Sequence, residues 1–111
     1  MADKNFLGEF EQMVLLAILQ LKDDAHAPAV TAELESSAGR TVSQGALYTV
    51  LKRLEKKGLV RWSIESATSE RGGYPKRRFE VTASGVESLK VSWGALSTLA
   101  RGLEEVLGRD S

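Results

Sequence analysis

The 111-residue sequence has no cysteine, a single histidine, two prolines and no net charge. Each shortage removes a class of function. Without cysteine there is no disulfide framework, thiolate zinc site or iron–sulfur cluster, and the composition suits a reducing compartment. One histidine, His26, allows neither a histidine metal cluster nor a His–His relay, and a surface role in a turn is its simplest reading. No apolar run approaches the ~20 residues that span a bilayer. The stretch Met13 to Leu21 is short and runs directly into Lys22, Asp23 and Asp24. The N-terminus lacks the basic, apolar and cleavage-site series of a secretory signal, so the expected location is the cytoplasm. Gly72 and Gly73 are not followed by the lysine and hydroxyl of a phosphate loop. The acids show no paired-carboxylate spacing. Neither catalysis, nor a metal, nor a cofactor is expected.

What is present fits one globular domain, 42% hydrophobic and 27% charged. A chain this short forms only a modest core, which a dimer interface often supplements. Its zero net charge hides a sharp asymmetry. From Arg40 to Arg78 there are ten basic residues against Glu55, Glu65 and Glu70, a net +7, and the remainder carries −7. Such segregation points to an anionic partner, with a merely solvated basic surface as the alternative.

From Gly8 to Lys22, the residues Phe10, Met13, Val14, Ala17, Ile18 and Leu21 recur at steps of three and four, which predicts a helix. Pro28 suits the first position of a second helix, lined by Val30 and Leu34 and stopped by Gly39. Ser43 is a candidate N-cap for a third, with a stripe of Leu47, Val50, Leu51 and Leu54, Lys56 and Lys57 at its negative end, and Gly58 as terminator. Three short helices, the last two joined tightly, read as a helix-turn-helix.

After Gly58 the period falls to two. Val60, Trp62 and Ile64 alternate with polar residues, as do Phe79 and Val81, around a small-residue loop that holds Gly72 and Gly73. This predicts a β-hairpin, a wing beside the third helix, with Trp62 as core. A last helix begins near Thr82 or Ser84, with Ser84 and Glu87 as a capping box. Val86, Leu89, Trp93, Leu96, Ala100, Leu103 and Leu107 follow at alternating steps of three and four, a heptad seam. A helix from Ala83 to Gly108 would run roughly 39 Å. The preceding residues are too few to cover it, so a second copy of the chain is the expected partner. The expectation is a mainly α fold with a small β-hairpin: a winged helix-turn-helix domain over 1–82 and a long C-terminal dimerisation helix over 83–111. Gly94 and Gly102 inside that helix imply a close approach or a bend.

In a helix-turn-helix the N-terminal half of the second helix meets base edges in the major groove. Opposite the apolar stripe lie Gln44, Gly45, Tyr48, Thr49 and Lys52, with Ser43 at the helix start. Gln44 can pair bidentately with adenine, while Tyr48 and Lys52 suit phosphate or sugar. Gly45 has no side chain to hold the helix off the DNA. Tyr48 as a packing aromatic and Gln44 as a bystander are the alternatives. On the wing, Arg71, Lys76 and Arg77 can straddle a phosphate or enter the minor groove, and Arg40 is a further phosphate candidate.

The segments GALYTVLKRLEKKGLVRW and ERGGYPKRRFEVTASG resemble the PadR family of regulators in its third helix and wing, and LGEFEQMVLLAIL and ELESSAGRTVS resemble its first two helices. The likeness spans roughly Leu7 to Leu89 and departs from the family pattern at His26-Ala27-Pro28. It implies a homodimeric cytoplasmic repressor of palindromic promoter DNA, joined through the C-terminal helix and answering to small apolar or aromatic effectors. Trp93, on the seam between Val86 and Ala100, then becomes the candidate ligand residue, with two indoles sandwiching a flat effector; plain interface packing is the alternative. Two rival functions remain: a winged-helix protein–protein adaptor without DNA binding, and an accessory domain docking its last helix on an enzyme.

Overall fold

The computed structural model describes residues 6–65 and 76–108. Gly8 opens the first helix, α1 (Glu9–Leu21), and Lys22, at φ +54°, closes it. The expected apolar face is present, but Glu11 and Leu15 are also buried. The reason is position: α2 (Ala27–Ala38), α3 (Gln44–Lys56), α4 (Ala83–Ala100) and the hairpin all pack on α1, so more than one side of it leaves water. Helix α2 starts one residue earlier than expected, with Pro28 at its second position and His26 as N-cap. Gly39 ends it in the left-handed conformation, φ +64°.

Ser43 caps α3, its hydroxyl accepting from the Ala46 N–H at 3.1 Å. Leu47, Val50, Leu51 and Leu54 turn inward and join Val14, Leu15, Val30 and Val60 in one core. Each fully buried side chain of this kind contributes about 1.5–3 kcal/mol. The stripe on α3 thereby fixes which face is left for solvent.

Strands β1 (Val60–Glu65) and β2 (Lys76–Val81) pair antiparallel, Val60 opposite Val81, Trp62 opposite Phe79 and Ile64 opposite Arg77. This face runs outward from the core, since Val60 and Phe79 are buried, Trp62 is half-buried and Ile64 is exposed. Trp62 is therefore at the edge of the core and not inside it. The Phe79 N–H donates to the Ala25 carbonyl at 2.9 Å, which ties the hairpin to the turn before α2. Helix-turn-helix and hairpin together form a winged helix.

The last helix differs from the expected rod in three ways. Thr82, not Ser84, is the N-cap: its hydroxyl accepts from the Gly85 N–H at 3.0 Å and donates to the Gly58 carbonyl at 2.7 Å. The helix stops at Ala100, and a separate single turn, α5 (Glu104–Leu107), follows. Between them Gly102 takes φ +85°, which a helix cannot contain, so the bend belongs to Gly102. A Cβ at Gly94 would meet nothing within 4 Å, and nothing in the structure explains that glycine. Finally, Leu89 is buried in the chain's own core at 6% exposure. It leaves the seam because α4 turns Gly85, Leu89 and Ser92 inward against the domain.

Candidate nucleic-acid interface

The outward face of α3 carries Gln44, Gly45, Tyr48, Thr49 and Lys52, all exposed, with Ser43 at its start. Burial of the Leu47–Leu54 stripe dictates this arrangement. Gln44 Nε2 donates to Thr31 Oγ1 on α2 at 3.3 Å, and Thr49 Oγ1 donates to the Gly45 carbonyl at 3.0 Å. A Cβ at Gly45 would meet no atom within 4 Å, so this surface is open.

The hairpin stands next to that face. Tyr48, Thr49 and Lys52 share a groove of about 430 Å³ with Trp62 and Arg77, and Tyr48 shares a second, of about 670 Å³, with His26, Ile64, Lys76 and Arg77. Tyr48 is both packed and open to solvent. It is 37% exposed, yet its ring meets Phe79 edge-on at 6.2 Å. Arg77 does not extend as a free arm, because its guanidinium lies 4.4 Å over the Trp62 ring and 5.7 Å from that of Tyr48. Lys76, on the opposite face, pairs in register with Glu65. Arg71, with Gly72 and Gly73 of the expected loop, lies outside the described residues.

Arg40 is placed apart from these residues. It stacks 4.8 Å over the Phe10 ring and lies 3.5 Å from Glu9, both on α1. Much of the remaining positive charge is also spent within the chain. Arg53 Nε and Lys57 Nζ reach Glu11 Oε2 at 3.2 and 2.9 Å, Arg61 meets Glu80 at 3.2 Å, and Arg78 meets Asp23 at 3.3 Å.

Sequence reasoning missed Glu11. Burial pushes its carboxyl pKa up, but the Gly8 N–H with Lys57 and Arg53 outweighs that and holds it below the usual value. The one signal was a glutamate between Phe10 and Met13 on an otherwise apolar face. His26 is also more than a surface residue: its Nε2 bonds Glu65 Oε1, joining the start of α2 to the end of β1. That bond, made to a carboxylate at the solvent edge, lowers the pKa of Glu65.

A helix capped at Ser43, open along one face and flanked by a hairpin presenting cations, is the arrangement that enters a major groove while contacting its backbone. The model of the transcriptional regulator PadR-like family matches residues 15–91, which include α2, α3 and the hairpin. The chain belongs to the PadR-like family of transcriptional regulators. A PadR-like transcriptional regulator from Bacillus cereus superposes with TM-score 0.71 at 19% identity, covering 91% of this chain and 93% of that one. A PadR family regulator from Eggerthella lenta gives TM-score 0.65 at 23% identity over 92% and 88%. One from Clostridium difficile gives 0.67 at 19% over 89% and 99%. No curated protein sequence matches significantly. This PadR-like chain is thus a DNA-binding transcriptional regulator and not an enzyme. Among the described residues no group of acids and histidine could hold a metal ion, and no helix is long and apolar enough to cross a membrane.

The seam residues are placed unevenly. Trp93 is 59% and Leu96 55% exposed, Val86, Leu103 and Leu107 are exposed, and Ala100 is half-buried. Leu103 and Leu107 lie beyond the Gly102 bend. Leu99 and Val106, which the heptad left out, are the most exposed apolar residues of this region.

Proposed function

We propose that this regulator is a cytoplasmic homodimeric repressor of palindromic promoter DNA, released by a small apolar or aromatic effector. The observation that carries the reading is the exposed face of α3, where Gln44, Gly45, Tyr48, Thr49 and Lys52 stand open beside Arg77 of the hairpin. Gln44 reads a base edge, and Tyr48, Lys52, Lys76 and Arg77 meet phosphate and sugar. Supporting the dimer is the outer side of α4, where Trp93, Leu96 and Leu99 leave a large apolar surface in water, with Leu103, Val106 and Leu107 after the bend. Soluble proteins seldom leave such a surface uncovered, and a second copy of the same helix has matching chemistry.

In the dimer two α3 helices stand about one DNA turn apart, ~34–36 Å, to enter successive major grooves. A flat effector between the two Trp93 rings changes how the α4 helices cross, alters that spacing and releases the DNA. Footprinting the purified protein on the region upstream of its own coding sequence tests the reading directly. Two protected half-sites, one turn apart, are expected. Protection of a single half-site by a monomer rules out the dimeric form, and salt-independent or absent duplex binding rules out the DNA-binding one.

A further inference from the structure

Trp62 was expected to be core, but its surroundings suit another task. The indole N–H donates to Glu55 Oε2 on α3 at 3.1 Å, which fixes the ring from the recognition-helix side. Besides the core that it packs against at its inner edge, the ring meets Arg77, two residues from Phe79, the cross-strand partner of Trp62, and on the same face of the hairpin. The Arg77 guanidinium carbon sits 4.4 Å from the indole centroid. The Tyr48 ring stands 5.7 Å from the same group and is itself braced edge-on by Phe79. One arginine is therefore held between an aromatic of β1 and an aromatic of α3, at the rim of the groove that Lys52 also lines.

We propose that Trp62 is a positioning residue for DNA binding, which holds the Arg77 guanidinium ready for a backbone phosphate beside the recognition helix. A guanidinium held over a ring face makes no hydrogen bond to it, so its flat fork of N–H donors stays available to match a phosphate bidentately. An unsupported arginine must surrender its rotamer freedom on binding; one held against two rings has less to surrender. Glu55 matters through the same chain, because it orients the indole. Trp62 touches no DNA and acts only through Arg77.

The inference rests on the DNA-binding reading, and its test separates the two. Affinity for a mixed-sequence duplex is measured at low salt for the wild type, Trp62→Leu, Arg77→Ala and the double variant. Trp62→Leu should bind about 3- to 10-fold more weakly, the cost of leaving one long side chain unordered. Trp62→Phe, which restores an aromatic face, should recover most of that loss. In the Arg77→Ala background Trp62→Leu should have no further effect, since nothing is left to position. A structural role would instead weaken both backgrounds equally, and that result overturns the proposal. If Trp62→Leu fails to fold, Arg77→Lys decides: it keeps the charge and loses the flat fork, so wild-type affinity for it overturns the proposal and a loss close to that of Arg77→Ala supports it. A wild-type chain that binds no duplex overturns the DNA-binding reading itself.

Discussion

A Cβ on Gly85 would lie 2.3 Å from the carbonyl oxygen of Leu59 and 2.7 Å from Val81 Cγ1. The first turn of α4 thus rests directly on the backbone that links α3 to β1. Gly85→Ala must push the helix away from a rigid carbonyl. It should cost at least the ~1–3 kcal/mol of an overpacked core site. Urea or thermal unfolding checks this against Ser84→Ala, an exposed position that should remain near wild type. Equal stability of the two variants would mean that the contact relaxes freely.

Glu11 sets a pH dependence. Its carboxyl pKa is raised by burial but lowered further by Gly8, Lys57 and Arg53, so that the folded value lies below the ordinary one. The sign follows: the stability it adds is complete above the unfolded value of about 4.3 and is lost as pH falls through the folded value. Glu11→Gln should lower stability by ~1–3 kcal/mol at neutral pH, as expected for a broken buried charged hydrogen-bond set. The gap from wild type should narrow below pH ~4. A gap unchanged by acid would assign the loss to packing.

Base readout is tested at Gln44. Gln44→Ala should relax preference at one position in each half-site, at a cost of ~1–3 kcal/mol there. Affinity for unrelated duplexes should hardly change. An unaltered selection profile would leave Gln44 serving only its contact with Thr31.

Leu96 is 55% exposed on the outer side of α4. Leu96→Asp should yield a monomer by sedimentation at micromolar concentration with its fold intact, because the charge is costly only in a buried interface. Unchanged dimerisation would move the interface off this face.

The proposed effector site is tested through the fluorescence of Trp93. Trp62→Phe leaves Trp93 the sole tryptophan. A panel of planar apolar compounds should quench it saturably, and the tightest should lower DNA affinity in proportion, as linkage requires. Absence of quenching would leave Trp93 a packing residue alone, and quenching without release would separate it from regulation.

The helices, the wing and the open face of α3 were legible because each follows from periodicity: a four-residue apolar stripe leaves only one face for solvent. Ser43, Gly39 and Gly58 mark their ends by local backbone chemistry, which sequence carries directly. What periodicity could not carry was pairing between distant elements. Arg40 reads as a free cation until Phe10 and Glu9 are brought beneath it, and Trp62 reads as core until Arg77 covers it. The heptad likewise assigned Leu89 to a partner, because spacing alone does not say which side of a helix its own domain claims. Gly102 was visible as a helix weakener, but only its positive φ makes it an end.

The cross-strand pairs of the hairpin also bear on how the chain finds its fold. Arg61 faces Glu80 and Glu65 faces Lys76, on the side away from the core. Sliding β2 two residues in one direction would set Arg61 against Arg78, while a slip of one would turn the apolar row of one strand to water. Like charge therefore opposes the first of these slides, and lost burial opposes the second. The same charges thus bear on register even where, as exposed pairs, they add little to the stability of the finished protein.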